Sequence, residues 1–135
     1  MPGPDASPFA YVILRVVPSV ERGERLNVGV VVFCRQRGFL GARVSLDPVR
    51  LATLAPGLPL QELEEYLAGL VRVVEGDEGA GPIAALPQSD RFGWLAAPSS
   101  TIVQASPVHT GLSSDAAATL DSLFRRLVAL DDGSP

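Results

Sequence analysis

Lysine is absent from this chain of 135 residues, so all eleven basic side chains are arginines, set against fifteen Asp and Glu for a formal net charge of −4. An acidic chain is a poor electrostatic partner for nucleic acid, and none is expected. Cysteine occurs once, as Cys34, which excludes an internal disulfide and points to a reducing, cytoplasmic compartment. One Cys and one His leave too few ligands for the usual zinc sites, and neither a metal nor another cofactor is expected. No apolar run approaches the roughly 18 residues that would cross a membrane, and no membrane association is expected. Residues 1–8 carry neither the basic nor the apolar segment of a targeting peptide and read as a disordered tail. Thirteen Gly and twelve Pro fall short of a low-complexity chain, while 47% apolar residues suffice for one core.

What the chain does have is β-branched runs. FAYVILRVV at residues 9–17, LNVGVVVFC at 26–34 and FLGARVSL at 39–46 are separated by short charged turns, the pattern of an antiparallel meander. Near-continuous apolarity in the first two implies cover on both faces, by helices or by another subunit of a homo-oligomer. Asp47-Pro48 reads as a helix start, the carboxylate capping free amides and Pro taking a position that needs no amide donor. A second helix is expected over residues 60–74, where Leu60, Leu63, Leu67, Leu70, Val71 and Val74 recur at helical spacing. Residues 75–98 show no period and read as a long loop, packed through Phe92 and Trp94. SSTIVQA at 99–105 predicts a fourth strand ended by Pro107, and Ser113 or Ser114 a cap for a last helix running to about residue 130. The expected fold is α+β: an antiparallel sheet of about four strands, with about three helices packed mainly on one face. One domain is expected over residues 9–130, with 131–135 a C-terminal tail.

Two constellations stand out chemically. Arg15 is a charge inside an apolar strand; a hairpin centred near Arg22 sets it opposite Gly29, with Asn27 on the same face. It reads either as an edge arginine reaching solvent or as a grip for a carboxylate or phosphate. The segment 91–111, RFGWLAAPSSTIVQASPVHTG, gathers Arg91, Phe92, Trp94, Ser100, Thr101, Gln104, His109 and Thr110, a polar and aromatic density suited to recognition. A serine triad can be written with Ser100 or Ser106 and His109, but no nucleophile elbow supports it. Cys34, at the end of an apolar strand, reads as a small buried hydrophobe.

The stretches YVILRVVPSVERGERLNVGVVVFC at 11–34, GFLGARVSLDPVRLATLAP at 38–56 and GPIAALPQSDRFGWLAAPSSTIVQASPVHTGL at 81–112 resemble the DUF3037 family of small bacterial proteins. The shared motifs are an arginine-bearing first strand, E-R-G-E before N-V-G-V, R-F-x-W-L-x-A-P and S-P-V-H-T-G. Ser99 stands where the family often has arginine, and Ala105 where it has proline. The family has no established activity. Its members are often encoded beside a HipA-like protein kinase, so the resemblance implies a partner, regulator or substrate of such a kinase. The kinase fold's own Gly-rich loop, strand lysine, H-R-D and D-F-G motifs are absent here.

The expected function is therefore a non-enzymatic protein-interaction module, an accessory partner or regulator of a HipA-like kinase, with Phe92, Trp94 and His109 in the contact surface. The first alternative is a small anion-binding protein or enzyme, with Arg15 and Arg91 as clamp, Asn27 and Gln104 orienting the ligand and His109 as acid or base. The second is a phosphorylation substrate using the hydroxyls between Ser99 and Thr110.

Overall fold

In the computed structural model, described for residues 5–19, 21–97 and 102–129, the three apolar runs form the expected meander of β1 (Ser7–Ser19), β2 (Glu24–Cys34) and β3 (Phe39–Val44). The sheet is antiparallel, ordered β3-β2-β1, and its next position is shared by two strands. The short β4 (Val103–Ala105) pairs with Leu14 to Val16, and β5 (His109–Ser113) pairs with Ser7 to Tyr11. These five strands give the α+β class expected.

Ser106 explains how one interrupted segment serves both halves of β1. Its N–H donates to the Ile13 carbonyl at 2.8 Å, and its Oγ accepts the Ile13 N–H at 2.8 Å, replacing a ladder bond that the break would otherwise leave open. Pro107, which has no amide to contribute, falls at the break. The sequence pattern ends the last strand at this proline, whereas the chain resumes pairing beyond it as β5. Residues 7 and 8, expected in the tail, belong to β1, where Ser7 and Pro8 pair with Ser113 and Leu112.

Four helices cover the sheet. Asp47 caps α1 (Pro48–Leu54) as expected, accepting the Val49 and Arg50 amides at 2.9 and 3.3 Å. On α2 (Leu60–Val74), Leu63, Leu67, Leu70 and Val74 are buried along one stripe. The stretch expected as an aperiodic loop contains α3 (Gln88–Ala96), too short to show a period because Phe92 and Leu95 are its only buried residues. These three helices pack through Leu51, the α2 leucines, Phe92 and Leu95 onto Val12, Leu14, Val16, Val28 and Val31 of one sheet face. The last helix, α4 (Ala116–Phe124), continues as a π-helical turn over Arg125–Ala129. It packs Leu120, Leu123, Phe124 and Val128 onto Val30 and Val32 of the opposite face. Its cap is Asp115, which accepts the Ala118 amide at 3.0 Å; Ser113 ends β5 and Ser114 does not cap.

The apolarity of β2 is thus answered by helices on both faces. Fully burying each such valine or leucine is worth about 1.5–3 kcal/mol, and Val28, Val30, Val31 and Val32 are all wholly buried. Cys34 is likewise buried, its thiol 3.4 Å from the Pro8 carbonyl.

Candidate functional site

Arg15 is placed by an irregularity in the β1–β2 ladder. Leu14 pairs with Gly29, but Arg15 pairs with Asn27, so Val28 is an extra residue. The expected opposition of Arg15 and Gly29 is therefore off by this bulge. Gly29 belongs to the other face, where a Cβ would lie 2.9 Å from Val44 Cγ1 and 3.2 Å from Leu14 Cδ1; its missing side chain serves packing and makes no room for a guanidinium. Asn27 does share the face of Arg15 and accepts its Nε–H at 3.3 Å. Asn27 Nδ2 in turn donates to the Leu127 carbonyl at 3.1 Å, tying the hairpin to the final helical turn. Partial burial, with the nearby charge of Arg25 adding to it, lowers the Arg15 pKa from its ordinary value.

The clamp expected of Arg15 with Arg91 does not form. Arg91 lies on α3, on the opposite side of the sheet, where its guanidinium donates to the Leu86 carbonyl at 2.5 Å and the Val74 carbonyl at 3.4 Å. It closes the end of α2, a role set by the free carbonyls there. Phe92 is core, its ring centroid 5.4 Å from that of Phe33. Among the expected contact residues, Phe92 is therefore a correction and Trp94, 46% exposed, is not.

Along the outer segment, Gln104 pairs with Arg15 and His109 with Tyr11. Four residues of β1 separate these pairs, about 13 Å at strand rise, so His109 cannot serve as acid or base for an anion held by Arg15. The His109 ring stacks on Tyr11 instead, with centroids 5.1 Å apart. Thr110 lies opposite Ala10 on the other face and is exposed. Ser106 is buried with its hydroxyl engaged, which removes it both as a nucleophile and as an accessible phosphorylation site. Ser100 and Thr101 lie outside the described residues. Among the described residues no cluster of three or more His, Cys, Asp or Glu suits a metal ion, and no helix is long and apolar enough to cross a membrane.

What the fold does bring together is apolar and exposed. Tyr66 of α2 and Trp94 of α3 line a crevice of about 210 Å³ against Leu14, Val103 and Ala105. Ile102, Val108 and Leu112 follow along the adjoining outer segment, and all five of these large side chains are exposed. Among the described residues no strand pairs with the outer side of β5. From Ile102 to Ser114 there is no Arg, Asp or Glu, so this edge lacks the charges that commonly keep open edges apart.

Over residues 11–128 the chain matches a family model described as a protein of unknown function, DUF3037. The chain belongs to the DUF3037 family. No curated protein and no solved structure matches it. In this DUF3037 chain the S-P-V-H-T-G motif is architectural along most of its length. Ser106 bridges to Ile13, Pro107 interrupts the edge, His109 stacks on Tyr11, and Gly111 admits the Phe9 ring, which a Cβ there would approach to 2.8 Å. R-F-x-W-L divides in two, Arg91, Phe92 and Leu95 serving the core side and Trp94 the surface. Sequence reasoning missed Tyr66, Leu112 and Arg25. Tyr66 carried a weak signal, a large aromatic at the edge of the buried stripe of a regular amphipathic helix.

Proposed function

We propose that this DUF3037 protein is a non-enzymatic protein-interaction module, acting in the cytoplasm as an accessory partner or regulator of a HipA-like kinase. The observation that carries the interaction reading is the uncharged open edge of β5 flanked by exposed Leu112, Val108, Ile102, Trp94 and Tyr66. Among the described residues no strand takes up the outward backbone donors and acceptors of β5, so they offer hydrogen bonds to an incoming strand, and adjacent aromatic and aliphatic side chains supply the desolvated centre that binding requires. The kinase as partner comes from the genomic association the family resemblance implies. The dispersal of Arg15, Arg91 and His109 favours binding over catalysis.

The test is co-expression with a HipA-like kinase from the same genome, followed by size exclusion and a kinase assay. Co-elution is expected, with Leu112→Glu and Trp94→Glu each weakening the complex at least about tenfold, or roughly 1.4 kcal/mol. Independent elution, with kinase activity unchanged by adding the protein, overturns the reading.

A further inference from the structure

At the turn end of the β1–β2 hairpin, on the face that carries α4, a cleft of about 180 Å³ is lined by Arg15, Val17, Gly23, Glu24, Arg25 and Gln104. We propose that this cleft, flanked by the guanidiniums of Arg15 and Arg25, is a binding site for a phosphate monoester. The proposal is independent of the interaction reading, which uses the β5 edge.

The pairing Arg15↔Asn27 puts Arg25, two residues from Asn27, on the same face as Arg15 and diagonal to it. Like charges in that relation repel, and the proximity is felt, since Arg25 contributes to the lowered pKa of Arg15. Some of the other arginines are held by fixed partners. Arg22, Arg43 and Arg72 are in ion pairs, and Arg91 sits on backbone carbonyls. Among the described residues neither Arg15 nor Arg25 has an ion pair. Glu24, the acid in the lining, is engaged by Arg22 at 2.9 Å, so the lining keeps two uncompensated positive charges.

The same hydrogen bonds that place Arg15 also hold it ready. Its Nε–H is spent on Asn27, which is itself anchored on the Leu127 carbonyl, and among the described residues nothing engages its two terminal nitrogens, which can take a ligand. A guanidinium fixed in this way loses little entropy on binding. Two cations from neighbouring strands match a phosphate monoester, which carries about −1.5 to −2 charge at pH 7 and three acceptor oxygens. A single carboxylate would balance only one of them. The phosphate could belong to a small metabolite or to a phosphorylated side chain, and the chemistry of the cleft is common to both.

Titration of the full chain with inorganic phosphate, O-phosphoserine and acetate, followed through the arginine Nε–H resonances, tests the proposal. Both phosphates are expected to shift Arg15 saturably, with acetate at least about tenfold weaker. Arg25→Gln, at an exposed position that leaves the fold intact, should weaken phosphate binding at least about tenfold while the Arg15 resonance persists. Arg15→Gln should do the same where it folds. Tighter binding of O-phosphoserine than of inorganic phosphate supports a phosphorylated side chain as the source, and equal binding a small free anion. Absence of saturation, acetate equal to phosphate, or unchanged binding in Arg25→Gln overturns it.

Discussion

Asn27 lies directly across from Arg15, accepting its Nε–H at 3.3 Å while donating its own amide to the Leu127 carbonyl at 3.1 Å. One side chain thus fixes an arginine on the sheet and the last turn of the helix packed over it. Asn27→Ala should lower unfolding free energy by about 1–3 kcal/mol, because a half-buried carbonyl loses its donor. Asn27→Asp removes the donor to Leu127 while strengthening the acceptor for Arg15 with a charge, so any loss of stability in it reports the helix contact. Denaturant unfolding of both variants measures this. Wild-type stability in both would show that the bridge contributes nothing.

Glycine substitutions should move stability in opposite directions at two sites. At Gly29 a Cβ would meet the Arg43 carbonyl at 3.1 Å and Val44 Cγ1 at 2.9 Å. Backbone there cannot yield without disturbing β3, so Gly29→Ala should cost about 1–3 kcal/mol. At Gly69, inside α2, a Cβ meets nothing within 4 Å. Gly69→Ala should stabilise by about 0.5–1 kcal/mol through helix propensity. Thermal and denaturant midpoints decide both signs.

Phe92 and Trp94 stand two residues apart and should behave as different classes. Phe92→Ala opens a cavity beneath Phe33 and should cost about 3–5 kcal/mol. Trp94→Ala, at a side chain 46% exposed, should stay within about 1 kcal/mol of wild type while weakening partner binding. Equal destabilisation by the two would contradict the assignment of Trp94 to the surface.

Asp77 should titrate below the ordinary carboxylate range. The hydrogen bond from Arg72 Nε at 2.9 Å holds its pKa down, with the Gly79 amide adding to it. The folded state therefore favours the carboxylate: its contribution is present above the unfolded pKa and is lost as pH falls through the folded one. The carboxylate is exposed, so the effect on stability is small. Carboxyl-detected NMR should show the depressed midpoint, and Arg72→Gln should raise it toward the ordinary value. An unmoved midpoint in that variant would assign the shift to Gly79 instead.

The meander, α1, α2 and the burial of Cys34 were legible in the sequence because each rests on local signals: β-branched runs between charged turns, an Asp-Pro cap, leucines at helical spacing. α3 was not, since nine residues with two buried side chains and Gly93 in the middle carry no usable period. β5 was hidden behind Pro107, and only the long-range bond from Ile13 to the Ser106 hydroxyl shows how the segment resumes pairing. The candidate site was read in part. Trp94 is exposed and Arg15 lines a cleft, whereas Asn27 and His109 are engaged with Leu127 and Tyr11, and Arg91 and Phe92 are spent on the fold.

By itself, then, the sequence determined that eleven arginines and no lysine must do all the cationic work, that one cysteine and one histidine are too few for an internal disulfide or the usual zinc sites, and that an antiparallel α+β fold results. Tertiary structure alone decided which arginines meet. A single extra residue at Val28 sets Arg15 against Asn27 and beside Arg25, and the helical cover sends Arg91 to the far side of the sheet. Side-chain direction alternates with every residue of a strand, so a one-residue bulge reassigns a face, and local pattern carries no record of it.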